Sequence, residues 1–127
     1  MNKVVLDASA LLAVLQLEAG GDIVADKLDH AHMSAANLTE VVTKLIDHGH
    51  TLASTRRMLA QLVIKIEDID EAMAYAAAAM RPATKRAGLS LGDRLCLALG
   101  AKLGAPVLTT DKKWGQLDLG IDVTVVR

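Results

Sequence analysis

The chain has 127 residues, a length typical of one domain, and we expect a single domain over residues 1–127. Its formal net charge of −1 gives no overall positive field of the kind that marks many nucleic-acid-binding proteins. No apolar run approaches the roughly 18 residues that cross a bilayer, no secretory signal is recognisable, and the single Cys96 excludes an intrachain disulfide, so we expect a cytoplasmic protein without membrane contact.

Apolar runs bounded by capping and helix-breaking residues predict strands alternating with helices. The first run, Val4 to Leu6, indicates a parallel strand buried on both faces, with Asp7 at its carboxyl end. Ser9 is the expected cap of the next helix. The predicted strands are 3–7, 32–34, 63–66, 106–109 and 121–126, and the predicted helices are 10–15, 21–28, 36–48, 51–62, 70–82 and 90–103, with a short helical turn at 112–117.

This alternation predicts an α/β fold of three layers, in which helices flank a short parallel sheet of four to five strands. Open sheets of this kind bind ligands beyond the carboxyl ends of their strands. Asp7 and Asp111 both follow strand-like runs, while Glu40 and Asp93 lie in the first turns of predicted helices. We therefore expect the four carboxylates to meet at one rim of the sheet.

Each acid also has a purely structural interpretation, which the sequence leaves open. Asp7 fits a turn, Asp111 fits the cap of the following helical turn, and Asp93 fits a capping box with Ser90. For Glu40 the structural roles are an ion pair with Lys44 or a back-cap from Asn37. Ser9 and Thr109 lie two residues from Asp7 and Asp111, where a hydroxyl can orient a carboxylate or only cap a turn.

Taken together, four acids at one rim favour a metal site. Two carboxylates about 4 Å apart repel by about 4 kcal/mol at an effective dielectric near 20, so several such pairs need a cation. Hard oxygen ligands select Mg²⁺ or Mn²⁺. A hydrated cation held by acids is suited to phosphodiester hydrolysis because it lowers the pKa of water and neutralises phosphate charge.

Four segments carry these acids in a characteristic order: VVLDASALLA (4–13), AANLTEVV (35–42), LSLGDRLCLALG (89–100) and VLTTDKKW (107–114). They resemble PIN-domain ribonucleases, and VapC-type toxins of bacterial toxin–antitoxin pairs are the most similar members. The resemblance covers nearly the whole chain, and GLSLGDR (88–94) is its most specific part.

The resemblance implies a PIN-like fold and a Mg²⁺- or Mn²⁺-dependent endoribonuclease that acts as a toxin on RNA. It also implies a homodimer, and an antitoxin whose C-terminal segment covers the active site. The family's metal-binding acids fall on Asp7, Glu40, Asp93 and Asp111, and its accessory hydroxyls on Ser9 and Thr109. One departure is Lys113, where some members carry a further acid, which leaves open whether one or two ions bind.

Several other side chains have more than one interpretation. Lys112, Lys113 and Arg94 are candidates for binding RNA phosphates, and Arg94 is equally suited to pair with Asp93. Trp114 either packs on the sheet or stacks on a base. We expect Cys96 and three methionines to fill the core, and four histidines to lie on the surface. These are Met58, Met73 and Met80, and His30, His32, His48 and His50.

Two other functions are compatible with an acidic α/β rim. One is a non-catalytic α/β module that holds a structural metal ion. The other is a receiver-type signalling domain, which normally has adjacent acids after its first strand and a phosphoacceptor at a mid-chain strand end. Here Asp7 stands alone, and the Ile66-Glu67-Asp68 segment matches a phosphoacceptor strand end poorly.

Overall fold

Five short strands form a parallel sheet at the centre of the computed structural model, which describes residues 2–127. The spatial order is β3-β2-β1-β4-β5, and every neighbouring pair is parallel. Receiver-type sheets have the order 2-1-3-4-5, so the receiver alternative is wrong. The strands are β1 (Val4–Leu6), β2 (Ala31–Ser34), β3 (Lys65–Glu67), β4 (Val107–Thr109) and β5 (Val123–Val125).

Helices connect the strands, and most of them begin at residues whose side chains satisfy free N–H groups. Ser34, Thr51, Asp70 and Ser90 each accept a hydrogen bond from the backbone three residues on, as good N-caps do. Pro82 lies in the first turn of α6, where its missing N–H costs no helical bond. The helices are α1 (Ala8–Leu15), α2 (Gly21–Ala25), α3 (Ala35–Asp47), α4 (Leu52–Ala60), α5 (Glu71–Ala79), α6 (Arg81–Thr84) and α7 (Leu91–Leu103), with 3₁₀ turns at Leu28–His30 and Lys112–Gln116.

The central strand β1 is buried on both faces, which confirms the three-layer α/β/α architecture. Val4 and Leu6 pack into one core with side chains of α1 to α4, and Val5 packs into a second core with α5, α7 and Trp114. This alternation is the two-residue period of a strand. No helix within residues 2–127 has the length and apolar character needed to span a membrane.

The structure corrects the sequence prediction mainly at β3, one of the two edge strands of the sheet. The third strand is Lys65–Glu67 and not the apolar segment 63–66, and Val63 stays 71% exposed. His32, expected on the surface, is buried, and its Nδ1 lies 2.7 Å from Glu67 Oε2. This bond pulls the polar segment into register beside β2, and His32 holds the pKa of the Glu67 carboxyl below its usual range.

Helix α7 approaches β4 so closely that only glycine fits at position 100. A Cβ on Gly100 would lie 2.5 Å from Cγ2 of Val107, a short, buried side chain. We predict that Gly100→Ala lowers the free energy of unfolding by about 1–3 kcal/mol, because the helix and strand must separate. Urea unfolding followed by the fluorescence of Trp114 measures the change. Ala101→Ser, on the exposed side of the same turn, is the control; equal midpoints for the two variants would contradict the close packing.

Candidate active site

Asp7 is a buried carboxylate at the point where the innermost strand becomes a helix. It is the N-cap of α1, with Oδ1 accepting the Ala10 N–H at 2.8 Å, so the cap is Asp7 and not Ser9 as expected. The same Oδ1 accepts the Ser9 hydroxyl at 2.7 Å, and Oδ2 accepts the Thr109 hydroxyl at 2.5 Å. Only 4% of Asp7 is exposed, so three donors replace the water that burial removes.

The two hydroxyls also connect Asp7 to the end of β4. Thr109 Oγ1 accepts the backbone N–H of Asp111 at 3.0 Å, and Ser9 Oγ accepts that of Thr110 at 3.0 Å. Parallel pairing of β1 with β4 sets the two strand ends side by side, since Leu6 is opposite Leu108. The result is a continuous set of hydrogen bonds from Asp7 to the backbone that carries Asp111.

Glu40 reaches the rim from the second turn of α3, where a buried amide fixes its direction. Asn37 Nδ2 donates to Glu40 Oε1 at 2.7 Å and to the Gly92 carbonyl at 3.2 Å, while Asn37 Oδ1 accepts the Ser34 hydroxyl at 2.7 Å. A Cβ on Gly92 would lie 2.7 Å from Glu40 Oε1, so the carboxylate packs directly on the first turn of α7. Neither proposed structural role of Glu40 describes this: Ser34 caps α3, and Lys44 forms no ion pair with it.

Asp93 and Asp111 both serve as helix caps in the structure. Asp93 Oδ2 accepts the Ser90 N–H at 2.9 Å and completes a capping box with the Ser90 hydroxyl. Asp111 is the N-cap of the 3₁₀ turn, with Oδ1 accepting the Lys113 N–H at 3.0 Å. Each bond uses one carboxylate oxygen and leaves a second oxygen for another partner.

Three of the four acids influence the same buried thiol. Burial raises the pKa of Cys96 well above its usual range, and the charges of Asp7, Asp93 and Glu40 raise it further. Cys96, in the second turn of α7, is fully buried in the core, as expected. The direct packing contact is between α3 and α7, where Glu40 lies against Gly92, the residue before Asp93.

Burial raises the pKa of Asp7 to about 6, although hydrogen bonds from Thr109, Ala10 and Ser9 lower it and the Asp93 charge adds a small increase. A cation would oppose both causes of the increase. The donor chemistry therefore fits a hard divalent ion. The acidic side chains are not preorganised to bind such an ion. Among residues 2–127, no three His, Cys, Asp or Glu side chains form a group that could hold a metal. Asp93 and Asp111 would have to turn from their caps toward Asp7.

The cationic candidates do not all face the rim. Arg94 Nη1 donates to the Ala77 carbonyl of α5 at 3.1 Å, which directs the guanidinium away from Asp93. Lys112 and Lys113 are exposed beside Asp111. Trp114 is 1% exposed and packs in the core, so it cannot stack on a base. Its burial anchors the 3₁₀ turn on which both lysines stand.

Two residues of the site were not assigned to it from the sequence: Asn37, considered only as a back-cap, and Gly92. Both act through a contact between α3 and α7, which are far apart in the chain. The available signal was spacing: Asn37 and Glu40 are one helical turn apart, and Gly92 immediately precedes Asp93 inside a predicted helix, where glycine is costly.

The pKa of Asp7 predicts an unusual dependence of stability on pH. A carboxyl with a folded pKa of about 6 binds its proton more tightly when folded, so lowering the pH from about 6 to about 4 stabilises the fold, and raising it leaves a buried charge. Asp7→Asn removes this titration. In EDTA, the unfolding free energy of Asp7→Asn should therefore increase relative to the native chain by about 2–3 kcal/mol between about pH 4 and pH 7.

Urea unfolding at a series of pH values measures this difference. Asp118→Asn, the same substitution on the surface, controls for the general effect of removing one carboxylate. A difference between Asp7→Asn and the native chain that stays constant with pH would contradict the inferred burial of the charge.

Comparison with known proteins supplies the family. The model of the PIN domain family matches residues 4–119. No curated protein matches the chain by sequence. Among solved structures, a toxin–antitoxin complex from Klebsiella pneumoniae has a TM-score of 0.76 at 19% identity and covers 98% of both chains. A sarcin-ricin-loop-cleaving VapC toxin from Mycobacterium tuberculosis has a TM-score of 0.77 at 18% identity, with 98% of this chain and 99% of that chain covered.

A DNA-bound VapBC complex from Salmonella typhimurium is also similar, with a TM-score of 0.71, 16% identity and 98% coverage of both chains. At these identities the structures establish the common fold. The family model, which spans β1 to β4 and all four acids, establishes more: the chain belongs to the PIN domain family.

Proposed function

We propose that this chain is an endoribonuclease that depends on Mg²⁺ or Mn²⁺ and acts as the toxin of a type II toxin–antitoxin pair. The observation that supports this most directly is the buried Asp7 carboxylate at the rim where Glu40 and Asp93 also lie. A buried acid with a raised pKa beside further acids is unusual in a purely structural role and typical of functional sites.

In this proposal Asp7, Glu40, Asp93 and Asp111 hold the ion, and a bound divalent cation supplies positive charge that lowers the pKa of water and offsets charge on the phosphate. The chain's own contribution is orientation. Ser9 and Thr109 fix both oxygens of Asp7, and Asn37 fixes Glu40. Acids held in this way would keep a bound cation in place without reorganising during the reaction, and the cation would offset the negative charge that develops on the phosphate.

RNA as substrate rests on the resemblance to VapC toxins and on one similar structure described as a sarcin-ricin-loop-cleaving toxin. An antitoxin partner is supported by the similar structures that are toxin–antitoxin complexes. It is supported further by an apolar groove of about 350 Å³ between α3, α4 and β3, which fits one face of an amphipathic helix. Its lining includes Leu38, Val42, Leu59 and Leu62. A homodimer is part of the same proposal.

The proposal predicts cleavage of a structured RNA by the purified chain with Mg²⁺ or Mn²⁺, and none in EDTA. Asp93→Asn should lower the cleavage rate by at least roughly 100-fold, because it removes a charge at the reacting centre. The asparagine oxygen still accepts the Ser90 N–H, so the helix start is preserved. Gel analysis of the products over time measures the rate.

Asp70→Asn is the matched control. It makes the same change at another helix cap, where Asp70 Oδ1 accepts the Met73 N–H away from the rim. Equal cleavage by Asp93→Asn and the native chain would rule out the assigned role of Asp93. Stabilisation by metal without cleavage of any RNA would favour the non-catalytic metal-binding module.

A further inference from the structure

A groove of about 570 Å³ lies beside Asp111 and is lined by several cations, although the net charge of the chain is −1. Arg86, from the segment after α6, and Lys112 and Lys113, from the 3₁₀ turn, all line it and are exposed. Ala83 and Ala87 form part of its wall, and their short side chains leave it open. Three cations from two distant segments thus meet around one concave surface.

These three cations have no acidic partner in the described part of the chain. The ion pairs found within residues 2–127 are His32–Glu67 and Lys102–Asp70. Three like charges around one groove repel each other, and nothing in the groove lining compensates them, since its remaining members are Gln116, Leu117 and the two alanines. An anionic occupant would relieve this repulsion.

The groove has a fixed position relative to the acids. The Lys113 N–H donates to Asp111 Oδ1 at 3.0 Å, and the buried Trp114 anchors the same turn in the core. The first cations of the groove therefore stand next to the last acid of the rim. A polymer of phosphates that reaches the rim would continue into the groove.

We propose that this groove, lined by Arg86, Lys112 and Lys113, binds backbone phosphates of the RNA strand next to the bond that is cut. This inference rests on the proposed function, because it takes the acids as the position of that bond. Three of the groove's seven lining residues are cations and Gln116 is the single neutral polar side chain among them, so contacts to phosphates predominate. The groove therefore contributes mainly affinity and strand placement.

The test is RNA binding measured without cleavage. A fluorescein-labelled single-stranded RNA of mixed sequence is titrated with the chain in EDTA, which removes the metal that cleavage needs, and anisotropy gives the Kd. Arg86→Gln combined with Lys113→Gln should raise the Kd by at least roughly tenfold at about 50 mM salt, and should flatten the slope of log K against log salt by about 1.4. The Lys113 N–H is backbone, so its bond to Asp111 survives.

The matched control removes two charges near the amino ends of the strands, opposite the rim that carries the acids. Lys3 and Lys27 are exposed and line a separate cavity near the amino end of β1. Lys3→Gln combined with Lys27→Gln should leave the Kd within about twofold, given the short range of screened charges. Equal losses in both double variants, or no loss in the groove variant, would overturn the proposal.

Two further outcomes identify the occupant. Displacement of the RNA by polyglutamate at equal charge concentration would assign the groove to an acidic protein segment, and preference for single-stranded DNA of the same sequence would overturn the RNA assignment. Parallel assays with the same RNA and Mg²⁺ separate the two proposals. Groove-dependent binding without cleavage contradicts the proposed function alone, and cleavage with groove-independent binding contradicts this inference alone.

Discussion

The burial of one carboxylate determines the layout of the sheet rim. Asp7 follows a strand covered on both faces and is only 4% exposed, so its side chain has little access to water. Its three hydrogen bonds come from the next helix and from the neighbouring strand. Burying that charge is costly unless it is hydrogen-bonded. Three features supply the bonds: the hydroxyl of Thr109, the parallel pairing of β1 with β4, and the tight turn into α1.

The central part of the fold could be predicted because local and tertiary preferences agree there. Apolar runs ending in capping residues indicated β1, β2, β4, β5 and most helices to within a few residues. The other edge strand, β3, could not be predicted in the same way. An edge strand is selected by pairing with its neighbour, and here a hydrogen bond between His32 and Glu67, 35 residues apart, outweighed the hydrophobicity of Val63.

The sequence also predicted which acids to consider, because each stands at a strand end or helix start and those positions share one rim in a parallel sheet. It could not predict their orientations. Capping by Asp93 and Asp111 competes with pointing into the rim, and that competition depends on side-chain conformation. Arg94 illustrates the same limit, because a carbonyl of α5, 17 residues earlier, determines where its guanidinium points.

Gly92 shows that a position can require the absence of a side chain. It carries no functional group and lies in the partly accessible first turn of α7, where helix caps and propensities would favour almost any other residue. Yet its Cα hydrogen faces the Glu40 carboxylate, and its carbonyl holds Asn37. The residues tolerated at position 92 should therefore be limited by the space that the Glu40 carboxylate occupies, and not by helix propensity. In a lineage that gave up the acidic rim, position 92 would be among the first places free to gain a side chain.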